Sequence, residues 1–299
     1  MEKNVFIHIG YPKAASTWLQ NQLFPNAIDT YFCPRHLSGK IVSPYINKYD
    51  EKAFRREIEE RAKDRSNIII SDERLLGGML TGGYNGFATK VIAERLYATF
   101  PNAKIIMFIR NQYDIIASTY LHYIHFGGTF SFNRFFYNPG YYEISKIGMF
   151  HHEFFDYWKL YAMYVSLFGK ENICVFLFEE FIANIKSFIS DFSKKIQLRF
   201  NVGSINFDPE NTGMSYKDAM LKRWTVNRFT HYNIPAKQFL FSLFYRPDKM
   251  WKPIFRPEKN RTKLVISKKV YQEITNLYQK DNEKLFLEIG VDRKKYGYP

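Results

Sequence analysis

Lys13, Ser16 and Thr17 stand close together in the run Gly10 to Leu19, GYPKAASTWL. A lysine and two hydroxyls at a helix start suit the gripping of an anion. The run follows an apolar segment, Val5 to Ile9, and precedes a helical pattern from Thr17 to Phe24 that stops at Pro25. Strand, tight polar loop and helix start make an anion cradle, because the first N–H groups of a helix point outward unpaired and its dipole adds positive charge. Gly10 permits a sharp turn. These features predict a phosphate loop over Lys13, Ala14, Ala15, Ser16 and Thr17. It is not the nucleotide triphosphate loop, which needs a second glycine and then Lys-Ser/Thr, with the hydroxyl on Mg²⁺. Here Lys13 comes three residues before Ser16, and no second glycine precedes it.

A second group begins at Arg110, directly after the apolar run Lys104 to Ile109. Arg110, Asp114 and Ser118 follow at helical spacing. Arg offers phosphate a planar fork, and a serine two helical turns along adds a hydrogen bond. Taken alone, an arginine after a strand is an ordinary surface residue.

The elements that must position these groups are readable from periodicity. Strands are expected at Val5–Ile9, Asn67–Ser71, Lys104–Ile109 and Ile173–Phe178. Helices are expected at Glu51–Asp64, Ala88–Thr99, Phe150–Phe168 and from Ile182 to Phe192, where Ile185, Phe188 and Ile189 continue the stripe. Tyr31 to Asp50 is turn-rich, and Gly77, Gly78, Gly82, Gly83 and Gly86 mark a loop. Strands alternating with helices give an α/β fold: a central parallel sheet flanked by helices, like that of the phosphate-loop proteins. Ligands in such sheets sit beyond the carboxyl ends of the strands. Gly10, Ser71-Asp72-Glu73, Arg110 and Glu179 all fall there, so one rim is expected to collect them.

The order Tyr-Pro-Lys-x-x-Ser-Thr-Trp at Tyr11 to Trp18 resembles the 5′-phosphosulfate loop of sulfotransferases, which commonly reads Pro-Lys-x-Gly-Thr/Ser-Thr-Trp. Ala15 stands where that loop has glycine, so a positive φ there would be strained. Arg110 and Ser118 match the pair with which that family holds a 3′-phosphate. The resemblance implies the sulfotransferase fold and the donor 3′-phosphoadenosine 5′-phosphosulfate (PAPS; product PAP). It implies Lys13, Ser16 and Thr17 on the 5′-phosphosulfate and Arg110 and Ser118 on the 3′-phosphate. Trp18 is either an adenine stack or a core residue. The segment Asn211 to Lys217 resembles a stretch that bacterial sulfotransferases carry before a helix; Ser215 or Lys217 closes over the nucleotide, or Ser215 simply caps that helix. The pattern Tyr278 to Pro299 is also similar to that group.

Sulfuryl transfer requires a base for the acceptor proton. Glu73, just past a strand end, is the first choice, since carbohydrate sulfotransferases often use Glu; its alternative is a salt bridge to Arg74 or Lys13. His122 and His125 are second choices, and His8, inside a strand, reads as structural. No metal is needed, and no His/Asp/Glu cluster has metal-ligand spacing.

The 299 residues read as one domain, with an aromatic insertion about 120–145 and a basic helical part about 215–299. Hydrophobic residues make up 46% and charged residues 24%, which excludes a disordered chain. The net charge of +14 calls for an anionic partner or surface. Two cysteines, Cys33 and Cys174, read as free thiols of a reducing compartment. The early first strand leaves no room for a signal peptide, and no apolar run approaches the ~20 residues that span a bilayer. A cytoplasmic protein is expected. The acceptor is expected to be a small molecule, glycan or glycolipid, and no nucleic-acid partner is expected. The basic and aromatic stretch Phe239 to Phe255, with Arg246, Lys249 and Lys252, is a solvated face or a contact with anionic lipid. Two rival readings stay open: a Mg²⁺-dependent nucleotide kinase, and a non-catalytic module binding anionic lipid or nucleic acid.

Overall fold

The computed structural model describes residues 3–42, 49–77, 86, 88–137, 150–208, 215–229 and 264–299, with backbone alone for 225–229. Gly78, Gly82, Gly83, the aromatic segment from 138 to 149, Asn211 to Met214 and the Phe239–Phe255 stretch lie outside the described residues.

Five parallel strands form the centre: β1 (Asn4–His8), β2 (Thr30–Phe32), β3 (Asn67–Ser71), β4 (Lys104–Ile109) and β5 (Ile173–Leu177). Their order is β2-β3-β1-β4-β5. The runs of Ile, Val, Met and Phe in β3, β4 and β5 are buried almost throughout, which is the pattern of a sheet covered on both faces. After β1 the chain moves to one side of the sheet, and after β4 it moves to the other. The adjacent strands β1 and β4 therefore flank the switch point, where a crevice opens beyond the carboxyl ends.

The helices are α1 (Ser16–Trp18), which runs on through a π turn at Leu19–Leu23, α2 (Arg35–Ser38), α3 (Glu51–Arg61) and α4 (Thr89–Thr99). They continue with α5 (Gln112–His125), α6 (Phe132–Phe136), α7 (Tyr157–Phe168), α8 (Phe178–Ala183), α9 (Ile185–Ile196), α10 (Tyr216–Phe229) and α11 (Lys268–Ile289). Between the sheet and α9 lies an aromatic cluster, with Phe176 and Phe192 ring centres 4.6 Å apart and Phe108 and Phe176 5.5 Å apart. Helix α11 packs on α7 and α5. Among the described residues no helix is long and apolar enough to cross a membrane.

Three elements differ from the sequence expectation. β2 is a short edge strand inside the turn-rich segment. Helix α7 starts at Tyr157 rather than Phe150, because the Asp156 carboxylate accepts from the Lys159 N–H and caps it there. The expected helix from Ile182 is two helices, broken at Asn184, whose side chain caps α9 by accepting from the Ser187 N–H at 3.1 Å.

Candidate active site

The loop after β1 is tied to β4. Ile9 N–H donates to the Ile106 carbonyl at 3.0 Å and Tyr11 N–H to the Phe108 carbonyl at 3.2 Å. Between them, Gly10 has no room for a side chain: a Cβ there would lie 2.3 Å from His8 Nε2. Ala14 N–H closes the turn onto the Tyr11 carbonyl at 3.2 Å, and Ser16 Oγ donates to the same oxygen at 3.3 Å. The Ser16 hydroxyl thus serves the loop. Lys13 has φ 72° and Ala15 φ 64°, with Ala14 between them at negative φ. Such alternation curls N–H groups into an anion-binding nest. Ala15 therefore carries the left-handed strain that glycine would avoid. Thr17 is exposed at the loop mouth. Trp18 is 4% exposed, its ring 5.1 Å from that of Phe181, which makes it a core residue.

Arg110 begins the turn after β4. Its Nη1 donates to the Lys13 carbonyl at 3.0 Å, and the guanidinium lies 4.5 Å over the Phe178 ring. Its Nε is buried and has no hydrogen-bond partner among the described residues. Asn111 Oδ1 caps α5 by accepting from the Tyr113 N–H, and half-buried Ser118 sits two turns along that helix. Glu179 accepts from Asn111 N–H at 2.9 Å and from the Tyr298 hydroxyl at 2.8 Å. Burial pushes the Glu179 carboxyl above its ordinary range against these donors. It is a strut beneath the Arg110 turn.

Burial holds the Lys13 ammonium below its ordinary pKa; Glu73 opposes this, and Arg110 adds to it. His122, on the inner face of α5, is held down at about 3 by burial, then by Lys13 and His125. It is neutral at physiological pH, and so low a pKa makes it a weak general base. His125 is exposed, its ring 6.4 Å from that of His122. Glu73 has both oxygens engaged: Arg35 Nη2 donates to Oε1 at 2.6 Å and Gln20 Nε2 to Oε2 at 3.3 Å. The ion-pair partner of Glu73 is Arg35, not Arg74, because Arg74 forks onto the fully buried Asp72. Lone pairs on the Glu73 carboxylate still remain for a proton. His8 is wholly buried, its Nδ1 2.7 Å from Ser71 Oγ.

The structure brings Lys13 together with Arg110, Glu73 and His122. Ser215 is the cap of α10: its Oγ accepts from the Asp218 N–H at 3.2 Å and donates to Asp218 Oδ2 at 2.7 Å. Lys217 is exposed on the first turn of that helix. Helix α10 docks on α5, with Lys222 Nζ on the His125 carbonyl at 2.6 Å and Arg223 on the Tyr120 hydroxyl. Sequence reasoning missed Gln20, Arg35 and Phe178. Gln20 carries a legible signal, four residues after Ser16 on the same helical run; Arg35 and Phe178 carry none. Among the described residues, no group of three or more His, Cys, Asp or Glu could hold a metal ion.

No protein-family model matches the chain, and no curated protein matches it in sequence. Solved structures that resemble it include three sulfotransferases. A sulfotransferase from Alicyclobacillus acidocaldarius is 20% identical, with TM-score 0.47, over 84% of this chain and 99% of that one. The sulfotransferase domain from the curacin biosynthetic pathway is 14% identical, with TM-score 0.41, over 81% and 97%. Mouse sulfotransferase SULT7A1, complexed with PAP, is 13% identical, with TM-score 0.42, over 94% and 84%. At these values the likeness transfers no activity to this chain.

Proposed function

We propose that this chain is a sulfotransferase that moves a sulfuryl group from PAPS to a hydroxyl, or an amine, of a carbohydrate or glycolipid. The observation that supports it most is the Arg110 Nη1 to Lys13 carbonyl bond at 3.0 Å, which draws two cationic groups, far apart in sequence, onto one rim. One doubly phosphorylated adenosine can bridge them. The unpartnered Arg110 Nε and the nest at Lys13 to Ala15 suit a phosphate at each end.

When bound, PAPS supplies the sulfuryl group: the acceptor oxygen bonds sulfur as the bond from sulfur to the 5′-phosphate oxygen breaks, leaving PAP. Negative charge grows on that leaving oxygen, and Lys13, the loop N–H groups and the Thr17 hydroxyl meet it. Arg110 and Ser118 hold the 3′-phosphate. Glu73 takes the acceptor proton, and His122 is the second choice because neutral imidazole beside Lys13 binds a proton poorly. An anionic membrane surface is part of the same reading for the basic C-terminal half, supported by exposed Leu221 and Trp224 beside Lys217 on one face of α10.

The test is transfer of ³⁵S from labelled PAPS to a panel of sugars and glycolipids, without added metal. Label in an acceptor, lost in Lys13→Ala, supports the reading. Phosphoryl transfer from Mg²⁺-ATP with no ³⁵S transfer supports the kinase instead.

A further inference from the structure

Gln20 sits three residues beyond Thr17, in the π turn Leu19–Leu23 that prolongs α1. A π turn is a rare departure from helical spacing, and such turns gather at functional sites. Gln20 Nε2 reaches Ser71 Oγ at 3.2 Å and Glu73 Oε2 at 3.3 Å. Ser71 in turn meets His8 Nδ1, and the His8 ring lies against the backbone of Gly10. A continuous chain of contacts therefore runs from the start of the phosphate loop, through the end of β3, to Glu73, and Gln20 closes it back onto the helix that the loop opens.

Nothing in the assigned roles uses Gln20. Arg35 alone would leave Glu73 on a single ion pair with a side chain that is 53% exposed, a weak constraint on direction. The amide of Gln20 fixes the second oxygen from the loop side. We propose that Gln20 is a positioning residue: it aims the Glu73 carboxylate at the acceptor hydroxyl. This rests on the donor reading above.

The experiment measures PAP affinity and PAPS turnover in wild type, Gln20→Met, Glu73→Gln and the double variant. Methionine keeps length and volume and removes the donor. Gln20→Met is expected to keep PAP affinity within about twofold, which also shows that it folds, while kcat falls by ~10-fold, the worth of one hydrogen bond and the lost aim. In the Glu73→Gln background the same change is expected to cost less than about twofold, since Gln20 acts only through Glu73. Independent, multiplying losses overturn the inference, as does an unchanged kcat in Gln20→Met or turnover indifferent to Glu73→Gln; PAP binding leaves the donor reading standing in each case. Absence of PAP binding by wild type overturns the donor reading and this inference with it.

Discussion

Arg110, just past the end of β4, donates through Nη1 to the backbone carbonyl of Lys13, at 3.0 Å, across the point between β1 and β4 where the strand order reverses. The bond engages only the Lys13 backbone and ties the loop to the neighbouring strand end. Arg110→Ala removes this tie and, on the proposed reading, a phosphate contact. PAP affinity is expected to fall by ~10- to 100-fold, the worth of a charge-assisted hydrogen bond. Arg110→Lys should recover little, because a point charge cannot fork. Calorimetry on the two variants checks this, and an Arg110→Ala affinity equal to wild type would remove the 3′-phosphate role.

Ala15 holds φ 64°. A left-handed alanine costs about 1–2 kcal/mol, and glycine gives back about 0.5–1 kcal/mol through its more mobile unfolded chain. Ala15→Gly should therefore stabilise the fold by about 0.5–1 kcal/mol, read as a higher urea midpoint. A lower midpoint would contradict the strained loop.

The fold holds His8 neutral, its pKa lowered to about 3 by burial, with Asp72 opposing. His122 is held equally low, at about 3. The unfolded chain protonates both near pH 6.5. Between pH 6.5 and 3 the unfolded state thus binds more protons, so stability falls as the pH falls, by ~1.4 kcal/mol per unit for each such histidine. Burial lowers His152 as well, and it acts in the same direction. Unfolding midpoints between pH 7.5 and 5 should drop in wild type and drop more gently in His8→Asn. An identical slope in the variant would show that His8 titrates normally.

Asn282 and Gln112 are buried and exchange amide hydrogen bonds at 2.9 and 3.0 Å, while Asn111 Nδ2 donates to the carbonyls of Tyr296 and Gly297. Asn282→Leu strips the Gln112 amide of its two Asn282 bonds, leaving it only the Phe155 carbonyl at 3.4 Å, and should cost about 3 kcal/mol. Adding Gln112→Leu should recover part of that loss, because two apolar partners need no hydrogen bond. Further loss in the double variant would contradict this pairing.

Much of the frame was legible because buried parallel strands leave long apolar runs, as β3, β4 and β5 do. Residues at their ends then fall on one rim by topology, which is why Lys13, Glu73 and Arg110 could be grouped. β2 escaped because three residues, Thr30 to Phe32, give no period. The Arg35–Glu73 pair escaped because partners 38 residues apart are chosen by how α2 meets β3. Asn282 and Tyr296 to Pro299 stood out as a pattern, yet their work is visible only where they meet Gln112, Asn111 and Glu179. Trp18 and Ser215 show the opposite case: the structure gives each a packing or capping role.

The central claim is that one bisphosphorylated adenosine spans the Lys13 loop and Arg110. Titration calorimetry with PAP, ATP and AMP in metal-free buffer tests it most directly. Tight binding of PAP, with ATP and AMP far weaker, is the predicted result; equal affinity for the three, or tight binding of ATP that appears only with Mg²⁺, would contradict it.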